Sequence, residues 1–193
     1  PEEDIKKILD TGVVVLVDEA YYEFCGKTLT HLIEKYENLI LLRTLSKAFS
    51  LAGLRIGYAL SNIKVTKYLE RARPAFMVSL LAEKAAVAAI GDAPYARKNV
   101  ESIIKGREYL FKEISKIKGL KPFPSEANFI LVKVEENSKL RVGRVMMGLM
   151  KKGILVRDYT DVKGLPGEHM RITASNAEDN QRFIDVLHEL LEV

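Results

Sequence analysis

Within LLRTLSKAFSLAGLRIGY, residues 41–58, a single lysine, Lys47, lies between two apolar runs. It follows the hydroxyls of Thr44 and Ser46 and precedes Arg55 by eight positions. A lysine that only solubilises a surface usually sits among other charges. One ringed by hydroxyls and small residues has the surroundings of a reactive amine beside an anion cradle. A second segment, VDEAYYEF at residues 17–24, sets Asp18 and Tyr21 directly after an apolar run. Amine, carboxylate and phenol together suit pyridoxal phosphate. That cofactor needs a lysine for a Schiff base, a carboxylate to keep its pyridine nitrogen protonated, and hydroxyls with an arginine for its phosphate.

Such groups must be held at strand ends. VVVLV (13–17) is short, apolar and β-branched, the pattern of a strand buried on both faces. NLILLRT (38–44) is a second candidate strand and LRIGYAL (54–60) a third. PEEDIKKILDTG opens the chain as a helix, with acids in its first turn and a stop at Gly12, and residues 29–36 read as helical. Strands separated by helices make an α/β layered sheet, in which ligands gather at the carboxyl ends of strands.

Helical patterns follow over 62–72, 79–91 and 94–118, the last with Val100, Ile103, Ile104, Ile114 and Ile117 at helical spacing. Gly119, Pro122 and Pro124 mark a boundary, so domains are expected at 1–118 and 119–193. The second reads as strand 128–134, helix 139–152, strand 154–158, a glycine-rich loop, strand 169–173 and helix 177–191, with Asn176 as its N-cap.

Composition narrows the function. Thirty basic against 26 acidic residues, spread evenly, give +4 with no basic block, which argues against nucleic acid. The apolar runs are too short to span a bilayer. One cysteine, Cys25, excludes an internal disulfide framework and fits a reducing cytoplasm. With three scattered histidines, it also argues against a dedicated transition-metal site.

Four blocks carry a resemblance: VDEAYYEF, LRTLSKAFSLAGLRIGYAL, SEANFILVKV and GILVRDYTDVKGLPGEHMRIT. In this order they resemble the motifs of fold-type I pyridoxal phosphate aminotransferases, most of all the histidinol-phosphate aminotransferases. The resemblance implies part of the mixed, mostly parallel sheet of that fold's large domain, plus a smaller C-terminal α/β domain. It implies that Lys47 binds the cofactor and moves the substrate proton, that Asp18 bonds the pyridine nitrogen, and that Tyr21 bonds the phenolate oxygen. Thr44, Ser46 and Arg55 are implied at the phosphate, and Arg171 and Arg157 at the anionic end of the substrate. Asn128 lies near that region with no assigned role.

The implied reaction is amino transfer between L-histidinol phosphate and 2-oxoglutarate in histidine biosynthesis, by a homodimer acting on small anionic substrates. A threonine-phosphate decarboxylase of cobalamin synthesis shares the fold and most of these motifs. A chain serving only as a folding or assembly unit is the non-enzymatic alternative.

Taken singly, each residue also has an ordinary reading: a surface lysine, helix-starting acids, arginines in salt bridges. Glu19 and Tyr22 read as structural. Members of the family are longer at the amino end, where a glycine-containing phosphate loop, a ring-stacking aromatic and an asparagine are expected. The chain starts at Pro1 and is expected to be the carboxyl-terminal portion. ITASNAED also departs from the family, which more often has a glycine shortly after RIT.

Overall fold

The computed structural model describes residues 1–135 and 140–191. The chain divides into two compact units, Pro1–Arg97 and Lys98–Val193.

In the first unit, helix α1 (Glu2–Leu9) leads into strand β1 (Val15–Asp18), the short helix α2 (Tyr22–Cys25) and strand β2 (Leu39–Thr44). Strand β3 (Gly57–Ser61) follows, then helices α3 (Ile63–Ala72) and α4 (Leu80–Gly91). The sheet order is β1-β2-β3, with β1 parallel to β2 and β3 antiparallel to it. The mixed α/β layering matches the expectation. Residues 29–36 form only a 3-10 turn at Thr30–Leu32, which still buries Leu29, Leu32 and Tyr36 against Leu9, Leu39 and Leu41.

Residues 13–17 were expected to be buried on both faces, and the structure buries one. Val15 and Val17 pack into the cluster around Leu39 and Leu41, whereas Val14 and Leu16 are 69% and 56% exposed. Within this unit α1 and the 29–36 turns cover one side of the sheet. Helix α4, capped by the Ser79 hydroxyl on Ala82 N (3.2 Å), is apolar on most of its surface, Glu83 and Lys84 apart. Ala82 and Ala86 are buried with Leu45 and Ile56, while Leu81, Val87 and Ile90 face outward.

In the second unit, helix α5 (Ala93–Ile114, which begins in the first) is followed by β4 (Leu120–Pro122), β5 (Phe129–Val134), α6 (Val142–Lys151), β6 (Arg157–Asp158), β7 (His169–Thr173) and α7 (Ala177–Leu191). The sheet order is β4-β5-β7-β6, antiparallel throughout. Residue 139, where the sequence pattern starts a helix, lies outside the described residues. Strand 154–158 shortens to two residues, and β4 appears where only a boundary was expected. Pro122 is tolerated there because β4 is an edge strand, where a missing N–H need not break a ladder.

The division at 97/98 has a packing reason. Leu110, Ile114 and Ile117 are buried in the same core as Ile130, Val132, Leu149, Met170 and Leu187. The Asn176 cap is present, accepting from Asp179 N at 2.8 Å. Buried Asn180 clasps Ser175 through two hydrogen bonds of 2.9 and 2.8 Å.

That clasp faces Gly106 of α5. A Cβ there would meet Asn180 Nδ2 and lie 2.8 Å from Ser175 O, whereas a Cβ on Gly143 of α6 would meet nothing within 4 Å. Gly106→Ala is therefore expected to destabilise the protein by about 1–3 kcal/mol through overpacking. Gly143→Ala is expected to stabilise by about 0.5–1 kcal/mol through lower backbone entropy in the unfolded chain. Urea unfolding of the two variants checks the opposite signs.

Candidate active site

The parallel register of β1 and β2 sets Asp18 beside Leu42, two residues before the end of β2 at Thr44. Asp18 is exposed, and its Oδ1 accepts a hydrogen bond from Ala20 N at 2.9 Å, tightening the turn that follows. Tyr21 is half-buried at the start of α2, its ring tilted against Phe24 at 6.4 Å.

Beyond β2 the chain closes a compact loop. Leu45 N donates to Ile56 O (3.1 Å), Leu51 N to Leu45 O (3.0 Å) and Ser50 N to Lys47 O (3.1 Å). Leu45 and Ala48 are buried beneath it, which leaves Lys47 exposed above. Thr44 Oγ1 donates to Ser46 Oγ (2.9 Å) and accepts from Ser46 N (3.1 Å), so the two hydroxyls adjoin. Arg55 closes the loop in a left-handed conformation (φ 54°), with Nη1 donating to Ala52 O at 2.9 Å. Two residues later Gly57 faces Thr44 across β2 and β3, where a Cβ would lie 2.7 Å from Arg43 O. Only glycine fits that approach. Asp18, Thr44, Ser46 and Lys47 are thus brought to neighbouring strand ends, with Arg55 at the return of the lysine loop.

In the second unit Arg157 and Arg171 are direct cross-strand partners, so both side chains leave the same face. Arg171 Nη1 donates to Tyr159 Oη at 3.3 Å, and its guanidinium lies 5.1 Å from the Phe129 ring centroid and 5.7 Å from that of Tyr159. Among the described residues, Arg171 Nε and Thr160 Oγ1 are buried side-chain atoms with no hydrogen-bond partner. Like charges placed opposite one another repel, and an anion between them would relieve that repulsion while meeting the orphaned donor. Asn128 acts through its backbone, its carbonyl accepting from Ala174 N at 2.9 Å.

The aminotransferase class I and II family model matches residues 1–187. The chain belongs to this family. It is 45% identical over 191 residues to a histidinol-phosphate aminotransferase of Caldanaerobacter subterraneus subsp. tengcongensis, a match covering 98% of this chain and 52% of that one. The chain spans about half the length of the curated relatives it matches. Among solved structures, the histidinol-phosphate aminotransferase of Clostridium acetobutylicum superposes with a TM-score of 0.87 at 23% identity, over 100% of this chain and 60% of that one. The L-threonine-O-3-phosphate decarboxylase of Porphyromonas gingivalis gives 0.83 at 22%, over 99% and 59%. These two show a shared fold.

The sequence reading of this aminotransferase-family chain left Glu19 as structural and did not pick out the buried polar cluster around it. Glu19 is 7% exposed and accepts from Leu29 N (2.8 Å), Thr28 Oγ1 (2.9 Å), and Arg43 Nη2 and Nε (3.0 and 3.1 Å). Arg43 also donates to Thr28 Oγ1 (2.8 Å), and its guanidinium lies 3.7 Å from the Tyr22 ring centroid. Burial acts to lower the Arg43 pKa, but hydrogen bonds with Tyr58 and Glu19 outweigh it and raise the value overall. The signal in the sequence was an arginine inside an otherwise apolar strand, two residues after a buried leucine. Phe129 and Tyr159, whose rings flank Arg171, carry no sequence signal of that role; the strand pairing brings them to it.

Glu23, in the first turn of α2, has its pKa raised chiefly by burial, with a further push from Glu19, against the lowering effects of a backbone hydrogen bond and Arg43. A raised carboxyl pKa means the fold favours the neutral form. That contribution is full below the unfolded value and is lost as pH rises through the folded one. Glu23→Gln is expected to raise stability at neutral pH and to lose that advantage below the ordinary glutamate range. Thermal melts across pH test this; an advantage that persists in acid would contradict it.

Proposed function

We propose that the chain is the lysine-bearing portion of a pyridoxal phosphate-dependent aminotransferase. The observation that carries this is an exposed Lys47 on a loop pinned by buried Leu45 and Ala48, with paired Thr44 and Ser46 hydroxyls beside it and Asp18 ending the adjacent parallel strand. The donor set fits the cofactor: an amine, a carboxylate, a phenol, two hydroxyls and a guanidinium. When bound, pyridoxal phosphate supplies an electron-accepting ring that delocalises the charge left when a substrate Cα proton departs.

Asp18 holds the pyridine nitrogen protonated, Tyr21 donates to the phenolate oxygen, and Thr44, Ser46 and Arg55 hold the phosphate. The Lys47 amine anchors the cofactor and carries the proton to and from the substrate Cα. Arg157 and Arg171 bind an anionic group of the substrate, for which a planar fork is suited. In this reading residues 1–118 contribute to the cofactor domain and 119–193 form the small domain, with the apolar stripe of α5 packed into the second core.

The substrates are L-histidinol phosphate and 2-oxoglutarate, in histidine biosynthesis in the cytoplasm. The names and identities of the curated relatives support this choice. The enzyme is a homodimer, a reading supported by the outward apolar side chains Leu81, Val87 and Ile90 of α4. No helix among the described residues is long and apolar enough to cross a membrane.

Adding pyridoxal phosphate to the chain is expected to give a yellow, borohydride-reducible adduct at Lys47, absent from Lys47→Ala and located by peptide mapping. Equal adduct in wild type and Lys47→Ala would defeat the cofactor reading. In the protein carrying its full cofactor site, Arg171→Ala is expected to raise KM for the oxo acid about tenfold or more, since lost hydrogen bonds to a charged group cost about 1.5–3 kcal/mol. Release of carbon dioxide from phosphothreonine, without amino transfer to 2-oxoglutarate, would overturn the choice of reaction in favour of the decarboxylase.

A further inference from the structure

Glu19 and Arg43 lie outside the set of groups proposed to touch the cofactor, yet they form a buried ion pair at the same two strand ends. Their side chains are 5% and 11% exposed. The pair gathers five separate stretches of chain. Glu19 comes from the end of β1, Tyr22 from α2, Thr28 and Leu29 from the following loop, Arg43 from β2, and Tyr58, the cross-strand neighbour of Arg43, from β3. Three of its members adjoin proposed cofactor contacts in the sequence. Glu19 follows Asp18, Tyr22 follows Tyr21, and Arg43 precedes Thr44.

We infer that Glu19 and Arg43 are positioning residues, whose buried pair fixes the Asp18–Tyr21 turn against the Thr44–Lys47 loop in the geometry the cofactor needs. This rests on the cofactor reading for its purpose, while the locking itself is a property of the free chain. Three features argue for positioning over bulk stability. First, an ion pair buried to this degree contributes little net stability, because desolvation offsets its attraction; an apolar pair of the same volume would serve packing as well. Second, the Arg43 fork is fully directed: Nε and Nη2 meet one carboxylate oxygen, Nη2 also meets Thr28, and the guanidinium plane lies over Tyr22. Such a set of contacts specifies orientation as well as distance. Third, the second Glu19 oxygen accepts the Leu29 backbone N–H, so the carboxylate cannot rotate without stranding a buried donor.

The test uses wild type, Glu19→Gln, Arg43→Met and Arg43→Lys in the 193-residue chain, measured in two ways. Amide hydrogen exchange without cofactor is expected to accelerate about tenfold or more at residues 18–22 and 44–47 in Glu19→Gln and Arg43→Met. Exchange in the 98–191 unit should be unchanged. Arg43→Lys, which keeps the charge but loses the fork, is expected to fold and to show an intermediate local effect, so the test survives if Arg43→Met does not fold. The second measurement is the yield of Lys47 adduct and the midpoint of its absorbance change with pH. Both are expected to move in the variants, with the adduct weakened about tenfold, as supporting-shell losses typically do. Local exchange unchanged, or raised uniformly across the first unit, would overturn the inference. The exchange result stands whether or not wild type forms the adduct, and failure of wild type to form it would count against the cofactor reading alone.

Discussion

A β-strand can present successive side chains only to opposite faces, and at the end of β1 that constraint gives two adjacent acids different work. Asp18 stands on the open face and Glu19 on the buried one. The same alternation at the end of β2 sends Arg43 to meet Glu19 and leaves Thr44 at the strand end. Removing one partner of such a buried pair strands the other charge, at a cost of about 3–5 kcal/mol, whereas the intact pair is worth little. The magnitudes therefore favour geometry as the pair's contribution: it penalises every arrangement of the two strand ends but one.

The lysine loop applies a second constraint. Its two positive-φ residues are Ser50 and Arg55 (57° and 54°), not the neighbouring Gly53. Non-glycine residues in that region cost of order 1 kcal/mol or more each, so the surroundings must over-determine them. Here they do: Leu45 and Ile56, buried at the two ends of the loop, are tied by a backbone hydrogen bond, and Ala82 and Ala86 pack beneath. Small residues on α4 let the helix approach closely, while Gly57 admits Arg43 O at the strand crossing. The hydroxyl and small-residue surroundings that single out Lys47 in sequence follow from this. The apolar positions of the loop serve its fold, and the polar ones are turned outward.

What the sequence made legible follows the same physics. Apolar runs located β1 and β2, and an N-cap at Asn176 located the start of α7; the side-chain caps of α3 and α4, Asn62 and Ser79, are findings of the structure. Local pattern could not reveal which face of residues 13–17 is covered, since that depends on α1 and the 29–36 turns. It could not reveal β4, because Pro122 speaks against a strand until edge position is known. It showed the apolar stripe of α5 as helical spacing, but not that this stripe shares a core with Ile130, Leu149 and Leu187. For the site, residue types and order sufficed to nominate Lys47, Asp18 and the hydroxyls. The Glu19–Arg43 pair was hidden because it joins positions 24 apart that only the parallel register brings together.

Arginines in the two units show how hydrogen-bond satisfaction separates roles that burial alone does not. Arg43 and Arg171 both sit within strands, are partly or largely withdrawn from water, and lie against aromatic rings. Arg43 meets a carboxylate, a hydroxyl and a ring at close range. Arg171 has one long hydrogen bond to Tyr159, a like charge as its cross-strand partner, and a buried Nε with no acceptor. An unpaired buried donor costs about 1–3 kcal/mol, a deficit that an arriving anion can reverse. Arg43 is thus held in place whatever binds, while Arg171 gains most from a bidentate anion. The contrast separates an arginine whose donors the fold itself satisfies from one whose buried Nε is left without an acceptor.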